Sequence, residues 1–133
     1  MKRNIVFDTN VLISGYLWKG KPRQAIQVVR SGLFNLLHCT DSLDELVRIL
    51  ASKFGLDSGE IYRVVQDIEG MGKKVDVTSQ ESPITADPSD NLFLNLALDG
   101  NAKIIVSGDS HLLNLKEYKG IKILSVAGFM KQY

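Results

Sequence analysis

The sequence predicts an α/β protein, a three-layer α/β/α sandwich with a mostly parallel central sheet. Ile5-Val6-Phe7 is a short apolar, β-rich run of the kind buried on both faces of a sheet; it ends at Asp8, and Thr9-Asn10 followed by Val11-Leu12-Ile13 starts a helix. Lys103-Ile104-Ile105-Val106 repeats the arrangement, ending at Ser107-Gly108-Asp109 before Ser110-His111-Leu112-Leu113. Between and after these two units, strand patterns alternate with helix patterns, which points to a parallel sheet covered on both faces. Ligands of open α/β sheets bind outside the carboxyl ends of the strands. If the two strands are parallel neighbours, Asp8 and Asp109 point into one crevice.

Each element has its own signal. Val11 to Trp18 reads as a short helix, and Pro22 is placed to open the next one after the loop 19–23. Ala25, Ile26, Val28 and Val29 give that helix an apolar stripe, and Gly32 can end it. Phe34 to Cys39 is the second strand. Leu43, Leu46, Val47, Leu50 and Phe54 form the stripe of a helix that starts at Thr40-Asp41-Ser42 and stops at Gly55. Asp57-Ser58-Gly59-Glu60 is a capping box for a helix carrying Ile61, Val64, Val65 and Ile68. Lys74 to Val77 alternates polar and apolar, as an edge strand does. Residues 78–89 are polar and carry Pro83 and Pro88, so they form a loop. Leu92 to Leu98 is apolar over more than one stripe, as in a helix buried on several sides or shared with a partner. A turn at Lys119-Gly120, a last strand Ile121–Leu124 and a terminal helix capped by Ser125 complete the chain.

The chain has 133 residues, suited to a single domain (1–133) with one core. Sixteen basic residues against fifteen acidic leave a formal charge of +1, so net charge announces no polyanionic partner. Charges interrupt every apolar run well short of the ~18 residues of a membrane span. Asp8 interrupts the apolar region that a signal peptide would need after Met1-Lys2-Arg3. The lone Cys39 cannot form an internal disulfide, and a cytoplasmic location is the expectation.

Two more carboxylates fall at positions like those of Asp8 and Asp109. Glu45 lies near the start of the helix after the second strand, and Asp90 lies at the start of the Leu92–Leu98 helix, with Asp87 as its rival. Four gathered carboxylates raise one another's pKa or recruit a cation. With oxygen ligands that cation is Mg²⁺ or Mn²⁺, and one or two such ions activate water and stabilise the oxygens of an in-line phosphoryl displacement. Each acid also has a plainer explanation. Asp8 is a good N-cap, Ser42-Leu43-Asp44-Glu45 reads as a capping box, and Asp90 suits the first turn of a helix. Lys19, Lys21 and Arg23 are either a solvated loop or phosphate contacts.

The segments Val6-Phe7-Asp8-Thr9-Asn10-Val11-Leu12, Ser42-Leu43-Asp44-Glu45-Leu46, Asp87-Pro88-Ser89-Asp90-Asn91-Leu92-Phe93-Leu94 and Val106-Ser107-Gly108-Asp109-Ser110-His111-Leu112-Leu113 resemble those of PIN-domain ribonucleases, the family that includes VapC-type toxins. The resemblance implies Mg²⁺- or Mn²⁺-dependent cleavage of RNA, with Asp8, Glu45, Asp90 and Asp109 as metal ligands and Asn10 and Ser107 as polar support. It also implies a cognate antitoxin protein and a homodimer. Many close relatives carry an acid at the place of His111, so one metal or two stays open. The alternative function is a catalytically silent RNA-binding PIN module. An aspartyl-nucleophile phosphatase would need a second Asp where Asn10 stands, and a receiver domain would need paired acids after the first strand.

Overall fold

The computed structural model describes residues 2–133. Its sheet has the strand order β3-β2-β1-β4-β6-β5. The strands are β1 (Arg3–Phe7), β2 (Phe34–His38), β3 (Gly72–Lys74), β4 (Ile104–Val106), β5 (Glu117–Tyr118) and β6 (Ile121–Leu124). All neighbouring pairs are parallel except β5–β6. The helices are α1 (Thr9–Leu17), α2 (Lys21–Val28), α3 (Thr40–Ser52), α4 (Ser58–Gly70), α5 (Asn91–Asp99), α6 (Ser110–Leu113) and α7 (Val126–Gln132).

Alternation along the central strands makes the three layers, because successive side chains leave opposite faces. Ile5 and Phe7 of β1, Leu36 of β2 and Ile104 and Val106 of β4 pack into one core with α1, α2, α3, α4 and α7. Val6, Leu37 and Ile105 pack into a second core with α5 and α6. Burial on both faces is why β1 and β4 read as unbroken apolar runs. Among the described residues no helix is long and apolar enough to cross a membrane.

Two local readings need correction, and one strand is not legible in the sequence. The strand beside β2 is Gly72–Lys74, ahead of the alternating Lys74–Val77 segment, and only Val75 extends its pairing, through its N–H to the carbonyl of His38 at 2.8 Å. Gly72 permits this position: a Cβ there would lie 1.6 Å from the carbonyl oxygen of Leu36, so only glycine lets the two backbones meet. The capping box of α3 is formed by Cys39 and Ser42 rather than by Ser42 and Glu45. The Sγ of Cys39 accepts from the Ser42 N–H at 3.4 Å, and the Ser42 hydroxyl accepts from the Cys39 N–H at 3.0 Å. Finally, the Lys119-Gly120 turn closes a hairpin whose first strand, β5, has only two residues, too few to show in a pattern. Both turn residues have positive φ, 48° and 82°, the conformation of a two-residue hairpin turn.

The breadth of buried surface on α5 is explained within the chain. Phe93, Leu94, Leu96 and Ala97 belong to the second core, while Asn91, Asn95 and Asp99 form a polar stripe at i, i+4 and i+8. The segment from Thr78 to Ile84 lies along that stripe. Thr78 and Ser79 donate their N–H groups to Asp99 at 2.7 and 2.9 Å, the Glu81 N–H meets the Asn95 Oδ1 at 2.9 Å, and the Ile84 N–H meets the Asn91 Oδ1 at 3.0 Å. This loop, without regular structure, runs antiparallel to α5 and leads directly to Asp87.

Candidate metal centre

The carboxyl ends of β1 and β4 are adjacent, with Phe7 paired to Val106, so the residues that follow them meet. Asp8 is the N-cap of α1: its Oδ1 accepts from the Val11 N–H at 2.9 Å. Its Oδ2 accepts from the Ser107 hydroxyl and from the Gly108 N–H at 3.3 Å. The same Ser107 oxygen accepts from the Asp109 N–H at 2.9 Å. Ser107 is fully buried and therefore bridges the two acids that end the two strands. Asp109 in turn caps α6, its Oδ1 accepting from the His111 N–H at 2.8 Å. Capping and site building are thus one arrangement: the cap bond occupies one oxygen of each carboxylate, and the other oxygen of Asp8 is held by Ser107 and Gly108.

Asp90 enters from the short 3₁₀ turn Pro88–Asp90 that opens α5. Asp87, Asp90 and Asp109 each offer a carboxylate oxygen, and those atoms lie within 4.8 Å of one another. Asp90 is buried at 8% exposure, and its Oδ2 has no hydrogen-bond partner among the described residues. Burial, then the hydrogen-bonded Asp109 carboxyl and the charges of Asp109 and Asp87, push the Asp90 pKa up to about 7; His111 opposes them. Burial also holds Asp8 above the ordinary carboxylate value, partly offset by the Ser107, Val11 and Gly108 hydrogen bonds. A buried, unpartnered carboxylate oxygen crowded by two more acids is costly when charged, and a hard divalent cation removes both costs. The donor set, three carboxylates with oxygens within 4.8 Å of one another, fits such an ion.

The residues expected from the sequence do not all converge. Asp90 and Asp109 come together, with Asp87 beside Asp90 rather than in its place. Asp8 joins through Ser107. Glu45 lies in α3, partly exposed, and is not one of the three clustered carboxylates. Asn10 and His111 are exposed at the first turns of α1 and α6. Lys19 and Lys21 are exposed beyond the far end of α1, a nine-residue helix, which at ~1.5 Å per residue is roughly 14 Å from its Asp8 end. Arg23 is engaged structurally, its guanidinium donating to the carbonyls of Gly15 at 3.1 Å and Tyr16 at 3.2 Å. Asn91 escaped sequence reasoning, although a stripe of Asn91, Asn95 and Asp99 on an otherwise apolar helix is itself a readable signal.

Comparison with known families then decides the relationship, because the chain matches the family model described as PIN domain over residues 4–111. The chain belongs to the PIN domain family. The match runs from Asn4, the second residue of β1, through His111 and so includes every acid of the centre. No curated protein matches the chain closely enough to be set beside it. PIN membership implies a nuclease, a hydrolase of phosphodiester bonds. PIN nucleases use divalent metals, and in this PIN domain the acidic trio is the group that fits one.

Proposed function

We propose that this PIN domain, acting as one unit over residues 1–133, is a Mg²⁺- or Mn²⁺-dependent endoribonuclease. The observation that carries the reading is the buried, unpartnered Oδ2 of Asp90 within a trio of carboxylates at the carboxyl edge of the sheet. Asp87, Asp90 and Asp109 would hold the ion, with Asp8 beside them and Glu45 as a further ligand. When bound, a divalent ion supplies Lewis acidity for hydrolysis of a phosphodiester. The chain's own contribution is placement. Ser107 fixes the separation of Asp8 and Asp109, and the caps of α1 and α6 restrain both carboxylates. Asp90, titrating at about 7, can hold a proton near neutral pH when no ion is present. Lys19 and Lys21 would meet phosphates flanking the cut.

The test is incubation of the purified protein with a mixed RNA pool in EDTA and after adding Mn²⁺. Cleavage only with Mn²⁺ is expected. RNA binding without cleavage in Mn²⁺ would contradict the proposal and identify a silent RNA-binding module.

Resemblance to VapC-type toxins supports a finer reading: a cytoplasmic toxin, a homodimer, restrained by a small cognate antitoxin protein. The loop 78–84 covers the polar side of α5, so the dimer rests on the resemblance and not on that helix.

The place of Glu45 is open to a direct test. Because Cys39 and Ser42 cap α3, Glu45→Gln removes no cap bond. Thermal stability in EDTA should stay unchanged, while Mn²⁺ affinity and RNA cleavage fall, since a neutral amide oxygen is a weaker ligand for a hard cation than a carboxylate. Parent-level affinity and cleavage would remove Glu45 from the site.

A further inference from the structure

We infer that Asn91 is a positioning residue for the metal centre, holding Asp87 and Asp90 in place by clamping the loop that carries them. The inference rests on the metal-dependent reading above. Asn91 is buried at 6% exposure and uses both ends of its amide on one residue: Oδ1 accepts from the Ile84 N–H at 3.0 Å, and Nδ2 donates to the Ile84 carbonyl at 2.9 Å. This closes the chain from Ile84 to Asn91 into a loop, and two of the three clustered carboxylates, Asp87 and Asp90, lie inside it. Within the loop the Asp90 N–H bonds the Asp87 carbonyl at 3.1 Å, and the Ser89 hydroxyl bonds the Asp87 Oδ1 at 2.6 Å. The base of the loop is therefore the Asn91–Ile84 pair, and its tip carries the acids.

Asn95, one turn further along α5, makes a clamp of the same kind outside that loop. Its Oδ1 accepts from the Glu81 N–H at 2.9 Å, and its Nδ2 donates to the Glu81 carbonyl at 2.9 Å and the Asn91 carbonyl at 3.0 Å. Both clamps are buried and both tie the same segment to the same helix, so their stability costs are alike. The Asn91 clamp is the inner one and closes directly on the acids, whereas the wider loop closed at Asn95 reaches them only through it. Asn95 is thus an internal control: a merely structural role predicts equal consequences for the two, and a positioning role predicts unequal ones. Hydrogen bonds behind a ligand typically set metal affinity by about 10- to 100-fold.

The experiment is titration of the whole protein with Mn²⁺ at pH 8, followed by electron paramagnetic resonance of the free ion, well below the melting temperature of every variant. Asn91→Ala should lose about 10- to 100-fold in Mn²⁺ affinity, and Asn95→Ala should bind as the parent does, although both melt earlier. Asn91→Asp serves if Asn91→Ala does not fold. It keeps the acceptor for the Ile84 N–H and loses the donor to the Ile84 carbonyl. Its added charge alone would tighten a cation, so weaker binding reports the broken clamp. Parent-level or tighter affinity in the foldable Asn91 variant, or an equal loss in Asn95→Ala, would overturn the inference. A parent that binds no Mn²⁺ would overturn the metal reading itself, a separate and distinguishable result.

Discussion

Asp90→Asn is expected to abolish Mn²⁺-dependent RNA cleavage and, at pH 8, to raise the melting temperature of the metal-free protein. The two effects have one cause. Asp90 is buried beside Asp109 and Asp87, so its charge is costly until a cation arrives. Asparagine keeps the shape and removes the charge. Loss of several kcal/mol of transition-state charge stabilisation corresponds to roughly a hundredfold or more in rate. The pH dependence follows from linkage. In the unfolded chain Asp90 titrates near 3.8 and in the folded chain at about 7. Between these values the folded state holds the extra proton, so the stability that this group contributes is present at acid pH and is lost as pH rises through about 7. His38, whose pKa burial lowers, acts in the opposite direction as it is driven to charge at acid pH. The difference between parent and Asp90→Asn cancels His38 and isolates Asp90. In EDTA, the advantage of Asn over the parent should be smallest below pH 3.8, grow steadily as pH rises to about 7, and level off by pH 8. A difference that stays flat with pH would show that Asp90 does not hold a raised pKa.

Ser107→Ala is expected to have the next largest effect, in metal affinity and stability together. Its hydroxyl donates to the Asp8 Oδ2 and accepts from the Asp109 N–H, in a position with no exposure. Alanine leaves both partners short of a bond in a buried place, at a cost of roughly 1–3 kcal/mol. It also removes the largest influence holding the Asp8 pKa down, so Asp8 moves further towards its neutral form. A drop of about 10- to 100-fold in Mn²⁺ affinity should accompany the lost stability. Ser107→Thr keeps the hydroxyl and should recover most of the affinity, even where its added methyl lowers the melting temperature. Equal affinities in the alanine, threonine and parent proteins would confine Ser107 to a packing role.

Much of this centre is legible in the sequence because it is built from local rules. Asp8 and Asp109 each end an apolar run and start a helix, and pairing β1 with β4 is enough to bring them together. The rivalry between Asp87 and Asp90 dissolves in the 3₁₀ turn Pro88–Asp90, where the Asp90 N–H bonds the Asp87 carbonyl at 3.1 Å and sets the two acids side by side, and the Asn91 amide bonds the Ile84 backbone at the base of the loop that carries them. Periodicity describes helices and strands, and it carries no information about a side chain reaching across to an irregular loop. The position of β3 is illegible for a related reason. It depends on a backbone approach that only Gly72 allows, whereas the alternation of Lys74–Val77 reports partial burial without strand pairing beyond Val75. At α3 the serine expected to cap occupies the third helical position, and Cys39, an unusual capping residue, stands in its place. That shift moves Glu45 out of a capping box and leaves its charge without a local explanation.

The central claim is that Asp87, Asp90 and Asp109 hold a divalent ion in this PIN domain. The most direct test is Mn²⁺ titration of the parent and of Asp90→Asn at pH 8, read by electron paramagnetic resonance of the free ion, with both proteins shown to be folded. The account predicts saturable binding by the parent that is lost in Asp90→Asn. Equal binding by the two proteins, or none by the parent, would contradict it.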